Sequence, residues 1–379
     1  MRVFVVSHLS GKGGAERCLL ETVALLRPRG FEFLVILPGP GPLLDDLRAA
    51  GVECRIIAHR PWIFHWKPRL QRALDLLFDV RAAWRMAAVA RAWKADLVYT
   101  NTILPIAGAL AARLTRRKHV WRIYEFGQED HGFSFFLGER AALRIVAALT
   151  DLLVCNAEAV AARYRKVMPP EKIDLVKFCI ELPEEYRDER ARARAPRSPI
   201  RCLLAGSLHE GKRQEDAVRA VAELVREGVP VRLDIVGPDG NKGYADYVRQ
   251  LVATLGVQDQ VSIVSEVPSV LPFIRESDVV LLTSRCEALA RIPIEAFLMK
   301  RPVIGARSGG TPEQVRDGEN GLLYAPLDVP DLARKIRFCW EHPEDCARMG
   351  VAGYTWASRV YAPSAFADDI ERALKRVSP

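Results

Sequence analysis

The sequence lacks the features that mark several common classes of protein. Its eight cysteines are scattered and form no Cys-x-x-Cys pair, which argues against a zinc site or a disulfide framework and suits a reducing compartment. No uninterrupted apolar run approaches the roughly 20 residues of a membrane span. The short apolar run after Met1 predicts a buried first strand. We therefore expect a cytoplasmic protein, which can still lie on a membrane surface.

Signatures of phosphate and metal binding are also incomplete. The glycine-rich stretch Ser7–Arg17 follows a predicted strand, but Glu16 stands where G-x-G-x-x-G needs its third glycine, and no Lys-Ser/Thr pair completes a P-loop. No convincing Asp-x-Asp pair follows a strand, so we expect no metal. Gly13 and Gly14 still allow close approach to the backbone where a helix begins, a position that favours anions. A simple strand–helix turn is the alternative.

What the sequence does contain is a repeated order of short apolar strand, small turn residues and amphipathic helix. With 379 residues, about half of them apolar, the chain is long enough for two cores. We predict an α/β protein with two Rossmann-like, doubly wound domains facing a central cleft, which is the expected binding site. The predicted divisions are a first domain over 1–182, a charged linker over 183–199, a second domain over 200–358, and a helix over 359–379 that packs back toward the first domain.

Two loops of the second half carry residues that suit a nucleotide sugar. Lys212 follows a predicted strand and a glycine turn, where its ammonium can meet a diphosphate. Glu287 and Glu295 are separated by seven residues across a loop-to-helix boundary, with N–H groups near Arg291 and Ile292 between them. One carboxylate can accept from sugar hydroxyls and the other from ribose hydroxyls. A solvated lysine and two unrelated glutamates are the alternative.

Together these motifs resemble the retaining glycosyltransferases of family 4, which have the GT-B fold. The likeness covers nearly the whole chain, and its motifs stand in the family's order. They are G-G-A-E-R at Gly13–Arg17, G-S-L-H-E-G-K at Gly206–Lys212, I-V-G at Ile235–Gly237, the Glu287/Glu295 pair, P-V-I-G at Pro302–Gly305, G-G-T-P-E at Gly309–Glu313 and D-G-E-N-G-L-L at Asp317–Leu323. The resemblance implies transfer of a hexosyl unit from a nucleotide diphosphate sugar to a glycan or lipid-linked hydroxyl, without cofactor or metal, in envelope polysaccharide or glycolipid synthesis.

The resemblance also implies a role for each matching residue. Lys212 would hold the donor diphosphate, Glu287 the donor sugar hydroxyls and Glu295 the ribose. The other donor-binding residues would be Gly13, Gly14, Gly206, Ser207, Gly237, Glu266, Val267, Pro268, Ala290, Arg291 and Ile292, of which Glu266, Val267 and Pro268 would face the base.

Some residues depart from the family's pattern. Ser207 stands where many members have an arginine, which would leave more of the phosphate charge to Lys212. Ala290 replaces a usual glycine, and its methyl would crowd the donor sugar. After the fifth strand, Glu125 occupies the place of a common histidine, and His131 follows six residues on. Both are candidate catalytic residues on the acceptor side.

The formal net charge of +8 is concentrated in one segment. Residues 59–94 contain eight Lys/Arg against two Asp and so carry +6 of it. The basic residues are Arg60, Lys67, Arg69, Arg72, Arg81, Arg85, Arg91 and Lys94, and the interleaved aromatics are Trp62, Phe64, Trp66, Phe78, Trp84 and Trp93. Cations beside rings predict contact with an anionic membrane. The alternative is a solvated helix pair with Leu74, Leu77, Phe78 and Trp84 in the core.

Two rival functions remain open. A nucleotide-sugar epimerase would share the donor half but need no acceptor platform. A non-catalytic membrane- or glycan-binding protein that kept the fold is compatible with the substitutions at Ser207 and Ala290. We expect no nucleic-acid partner, because the basic segment contains no recognition motif. Donor hydrolysis with and without acceptors separates these functions.

Overall fold

The structure is a computed structural model that describes residues 1–63, 68–135, 138–186, 198–265 and 267–378. The chain forms two units, one comprising Met1–Cys179 with Pro363–Pro379 and the other Ile180–Ala362. Most of the predicted linker 183–199 lies outside the described residues. No disulfide joins any of the eight cysteines, all of which lie at described positions.

The first unit is built on a parallel sheet with strand order 3-2-1-4-5-6-7, seven strands within the described ranges. These are β1 (Arg2–Ser7), β2 (Glu32–Leu37), β3 (Glu53–Ile56), β4 (Leu97–Asn101), β5 (Lys118–Ile123), β6 (Leu152–Cys155) and β7 (Ile173–Leu175). The central strands β1 and β4 are buried along almost their whole length, because helices cover both faces of the sheet.

Helices of the first unit form a layer on each face of this sheet. They are α1 (Gly14–Leu26), α2 (Pro42–Ala49), α3 (Arg69–Ala92), α4 (Ile106–Thr115), α5 (Gln128–His131), α6 (Glu139–Leu149), α7 (Glu158–Tyr164) and the chain's last helix, Pro363–Val377. Leu19 of α1 and Ile370 of the last helix share one buried cluster with β1. Met86 of α3 and Ala107 of α4 belong to the cluster on the opposite face.

The second unit repeats this architecture with strand order 10-9-8-11-12-13. Its strands are β8 (Ile200–Ala205), β9 (Val231–Val236), β10 (Val261–Val264), β11 (Val279–Leu282), β12 (Val303–Ala306) and β13 (Gly321–Tyr324), and its helices are α8 (Gln214–Arg226), α9 (Lys242–Thr254), α10 (Leu271–Glu276), α11 (Ile292–Leu298), α12 (Thr311–Gln314), α13 (Val329–Glu341) and α14 (Pro343–Val360). The order reverses between β8 and β11, so the loops after these two strands flank the switch point, where ligands bind in such sheets.

The α/β prediction with two Rossmann-like domains is confirmed. The two short edge strands β7 and β13 are not evident from the sequence, because three or four residues are too few to show a clear period. Among the helices of the described residues, none is both long and apolar enough to cross a bilayer.

Candidate functional site

The loops after β8 and β11 are bonded to each other at the switch point of the second sheet. Thr283 Oγ1 donates a hydrogen bond to the carbonyl of Lys212 at 2.7 Å, and the amide of Arg285 donates to the carbonyl of Gly211 at 2.8 Å. Arg213 then adopts a left-handed conformation and α8 begins. These bonds hold the backbone of Lys212 against the end of β11.

Lys212 and Glu287, predicted from separate motifs, form an ion pair. The Nζ of Lys212 lies 2.5 Å from Oε2 of Glu287, and Ser284 Oγ donates to the same oxygen at 3.0 Å. Both side chains are partly buried, with 26% and 19% of their surfaces exposed. An ammonium has three donors, so Lys212 can bind a further oxygen without leaving Glu287. A cation and a carboxylate therefore stand side by side at the carboxyl edge of the sheet.

The G-G-T-P-E motif positions the backbone of Glu287. The amide of Gly310 donates to the carbonyl of Glu287 at 2.7 Å. Gly309 has φ +54°, and a Cβ at this position would lie 2.3 Å from the same carbonyl oxygen. Only glycine combines this backbone conformation with so close an approach.

Gln314, which the sequence analysis did not single out, holds the loop between the two glutamates. Its buried side chain accepts from the amide of Ala290 at 3.0 Å and donates to the carbonyl of Ala290 at 2.7 Å. Asn320 Nδ2 in turn donates to the carbonyl of Gln314 at 3.0 Å. The N–H and the carbonyl of Ala290 are therefore both bonded within the protein. Because the residue is also buried, its methyl group can influence the donor only through packing.

Helix α11 begins where the motif predicted. Arg291 is its N-cap, and Glu295 is the fourth helical residue, half-buried, one turn inside. The predicted amide nest is limited to the N–H groups of Arg291 and Ile292, because the next residue, Pro293, has no N–H. The structure thus places Glu287 in the loop and Glu295 in the helix, as the spacing indicated.

The glycine turns after β8 and β9 lie against each other. A Cβ on Gly237 would lie 2.2 Å from the carbonyl oxygen of Gly206. Ser207 Oγ donates to the carbonyl of Pro238 at 3.3 Å, so the hydroxyl that replaces the family's arginine is turned toward the neighbouring loop. Glu266 lies outside the described residues. Of the two residues that follow it, Val267 is half-buried and Pro268 is exposed.

In the first unit, the glycine loop after β1 meets a carboxylate of its own helix. A Cβ on Gly13, the N-cap of α1, would lie 2.5 Å from Oε2 of Glu16. Oε1 of the same carboxyl lies 3.4 Å from Nε2 of His8, and both side chains are almost fully buried. Burial raises the pKa of Glu16, and hydrogen bonds from its own amide and that of Gly13 oppose this. A carboxyl thus occupies the helix terminus at which the sequence analysis expected Gly13 and Gly14 to border phosphates.

Glu125 is buried with both carboxyl oxygens engaged. Oε1 accepts from the amide of Ile103 at 2.7 Å and Oε2 from the amide of Tyr124 at 3.0 Å. Burial raises the pKa of Glu125 to about 7, although these two hydrogen bonds oppose the shift. The residue ties the end of β5 to the loop after β4, and its catalytic role stays a prediction. His131 ends α5, and its side chain lies outside the described part of the chain.

No group of three or more His, Cys, Asp or Glu side chains arranged to hold a metal is found across the described ranges. The expectation of a metal-independent reaction remains a prediction.

Two family models match the chain. The one described as Glycosyltransferase Family 4 matches residues 12–182, and the one described as Glycosyl transferases group 1 matches residues 185–356. Their boundary falls close to the division between the two units, and together they account for most of the sequence.

Curated relatives and a solved structure agree with these models. A D-inositol 3-phosphate glycosyltransferase of Nocardia farcinica is 28% identical over 285 residues, which are 70% of this chain and 59% of the relative. A GDP-mannose-dependent alpha-(1-6)-phosphatidylinositol monomannoside mannosyltransferase of Mycolicibacterium smegmatis is 26% identical over 332 residues, which cover 82% of this chain and 81% of the relative. The chain thus spans less than two thirds of the first relative's length. HepE of Anabaena, solved in complex with UDP, is 21% identical, with a TM-score of 0.81 over 99% of this chain and 100% of that one. The GT-B fold class is confirmed.

Proposed function

We propose, from the premise that the chain belongs to the glycosyltransferases of family 4, that it transfers a hexosyl unit from a nucleotide diphosphate sugar to a hydroxyl of a glycan or lipid-linked acceptor. The observation that carries this proposal is the Lys212–Glu287 pair at the switch point of the second sheet. In this pair, a cation that suits the diphosphate stands next to a carboxylate that suits the sugar hydroxyls.

The reaction breaks the bond between the anomeric carbon and the diphosphate oxygen, and a nucleoside diphosphate leaves. Negative charge develops on the leaving oxygen, so a preorganised cation lowers the barrier more than it stabilises the ground state. Lys212, held by the bonds of Thr283 and Arg285 to its loop, supplies that charge with the amides of Arg291 and Ile292. This chemistry needs no divalent metal.

Glu287 orients the sugar ring. Ser284 and Lys212 engage one of its oxygens, and the carboxylate retains lone pairs for the sugar hydroxyls. Glu295, one turn into α11, accepts from the ribose hydroxyls. The acceptor attacks the face from which the diphosphate departs, and its proton passes to the leaving phosphate, so that the anomeric configuration is retained.

The relatives indicate which substrates to test first. One of them is named for GDP-mannose and a phosphatidylinositol mannoside, another for inositol phosphate, and HepE was solved with UDP. We further propose that the chain acts in synthesis of an envelope glycolipid or polysaccharide on the inner face of the membrane. The basic segment 59–94 would contact that surface.

A donor screen with UDP-, GDP- and ADP-sugars in excess chelator tests the proposal. We expect one donor class to be consumed faster when an acceptor is added, with a product of the same anomeric configuration by NMR. Epimerised sugar without transfer would identify the rival epimerase, and binding without turnover would identify a non-catalytic protein. Activity lost in chelator and restored by Mg²⁺ or Mn²⁺ would contradict the metal-independent mechanism.

A further inference from the structure

Helix α3 is longer than the sheet that it covers. Its 24 residues extend about 36 Å, whereas a strand of five or six residues extends roughly 17–20 Å. Its C-terminal half packs on the sheet through residues such as Ala83, Met86 and Ala90. Because α3 connects two parallel strands, β3 and β4, it runs opposite to them and starts at their carboxyl ends. Its N-terminal half therefore projects beyond the carboxyl edge of the first sheet.

The projecting part and the turn that follows it expose a row of large apolar side chains. Leu70, Leu74, Leu77 and Trp84 are between 55% and 75% exposed. Their spacing of four, three and seven residues places them on one face of the helix. We call these four residues the leucine stripe. The alternative that Leu74, Leu77 and Trp84 belong to the core is therefore wrong.

The acidic residues of α3 lie on the opposite face. Asp75 and Asp79 are buried. Asp79 accepts from the amide of Arg60 at 2.8 Å, and Asp75 pairs with the guanidinium of the same arginine. Arg81 and Arg85 are exposed beside the leucine stripe. Because both aspartates point inward, the outer face of the helix presents apolar and cationic groups together.

We propose that the leucine stripe enters the headgroup layer of an anionic membrane while Arg81 and Arg85 bind lipid phosphates. A helix with leucines and arginines on one face matches the chemistry of a bilayer interface. A second copy of the chain is a poorer partner, because packing two stripes together would bring the arginines of both copies into proximity. The inference rests on the proposed function, since it places the carboxyl edge of the first sheet beside a lipid-linked acceptor.

Co-sedimentation of the full chain with vesicles tests the apolar and the charged contributions separately. The vesicles are phosphatidylcholine alone or mixed with phosphatidylglycerol. We expect the mixed vesicles to bind the wild type, and Leu74→Ser with Leu77→Ser to weaken this binding by about tenfold or more at any salt concentration. Arg81→Glu with Arg85→Glu should abolish the preference for mixed vesicles and the decrease with salt. Leu175→Ser with Val351→Ser, which changes exposed apolar residues elsewhere, should leave binding unchanged.

Nucleoside diphosphate binding, measured on every variant, distinguishes this inference from the proposed function. The stripe variants should retain it, whereas Lys212→Ala should bind the nucleoside diphosphate more weakly and still bind vesicles. Equal sedimentation with both kinds of vesicle, or with neither, would overturn the inference. So would a wild-type dimer that the leucine variants dissociate, because the stripe would then be an interface between copies of the chain.

Discussion

The two glycine loops that follow the first strand of each sheet share a topological position but differ in charge. In the second unit, the loop after β8 presents Lys212, which pairs with the carboxylate of Glu287 on the loop after β11. In the first unit, the loop after β1 is followed by a helix whose own Glu16 folds back against Gly13. The lysine of the second loop thus pairs with Glu287, whereas in the first loop the carboxyl of Glu16 lies against the glycine turn and Lys12 is exposed.

The strand–glycine–helix pattern alone therefore does not identify a phosphate site. A helix terminus attracts anions only while its positive end is not already compensated, and Glu16 supplies that compensation in the first unit. The second loop adds a cation that is held beside Glu287. We therefore propose that the diphosphate binds at the second unit, whereas the glycine turn of the first unit lies against the buried His8 and Glu16 side chains.

The largest effect is expected from the lysine of the second loop, compared with the lysine of the first loop. Lys212→Ala should lower the rate of transfer by about a hundredfold or more, because it removes the charge opposite the leaving group. Lys12→Ala is the matched control in the first loop, where the lysine is 65% exposed and 3.9 Å from Asp46. Steady-state transfer in chelator measures both. Comparable losses in the two variants would remove the distinction between the loops.

The two glutamates of the second unit come next. Glu287→Ala and Glu295→Ala should each lower transfer by about tenfold to a hundredfold, since each removes a charged hydrogen bond to the donor, while the melting temperature stays close to the wild type. Glu341→Ala, at the exposed end of α13, is the control. Wild-type turnover in both variants, with a confirmed donor, would refute the assignment of the site.

A smaller effect should follow from Gln314→Leu. The leucine cannot bond to the backbone of Ala290, so the loop that carries Glu287 becomes less ordered, and kcat should fall by roughly tenfold. Nucleoside diphosphate affinity should change little, because Lys212 is held by other bonds. Asn320→Ala, which leaves both bonds between Gln314 and Ala290 in place, should retain most of the activity. An unchanged kcat in Gln314→Leu would exclude a positioning role.

The smallest effect concerns Glu125 and the stability of the first unit. Burial raises its pKa from 4.5 to about 7, so the folded state binds more protons than the unfolded state between these values. The free energy of unfolding should therefore fall as pH rises through this range. Glu125→Gln should remove that decrease, at the cost of one of the two accepted hydrogen bonds. Denaturant titrations across the range measure it, and equal pH dependence in both proteins would disprove the assignment.

Particular residues show what sequence could and could not predict. The fold class, Lys212 and the positions of Glu287 and Glu295 followed from local motifs, because strand period and loop position are short-range features. The ion pair between Lys212 and Glu287, 75 residues apart, and the bonds of Gln314 to Ala290 depend on which strands become neighbours. The sequence shows that Glu16 is acidic, but it does not show that the carboxyl of Glu16 lies against Gly13. The exposure of Leu74 and Leu77 also depended on tertiary structure, because their helical spacing fits a core face equally well.

Calorimetric titration of a nucleoside diphosphate in excess chelator, with one charge removed from each loop, tests the central claim most directly. We expect Lys212→Ala to weaken binding by about tenfold or more, as for the loss of a charged hydrogen bond, and Glu16→Gln to leave the affinity unchanged. Unchanged affinity in Lys212→Ala together with tighter binding in Glu16→Gln would contradict the account, because the diphosphate would then lie at the loop of the first unit.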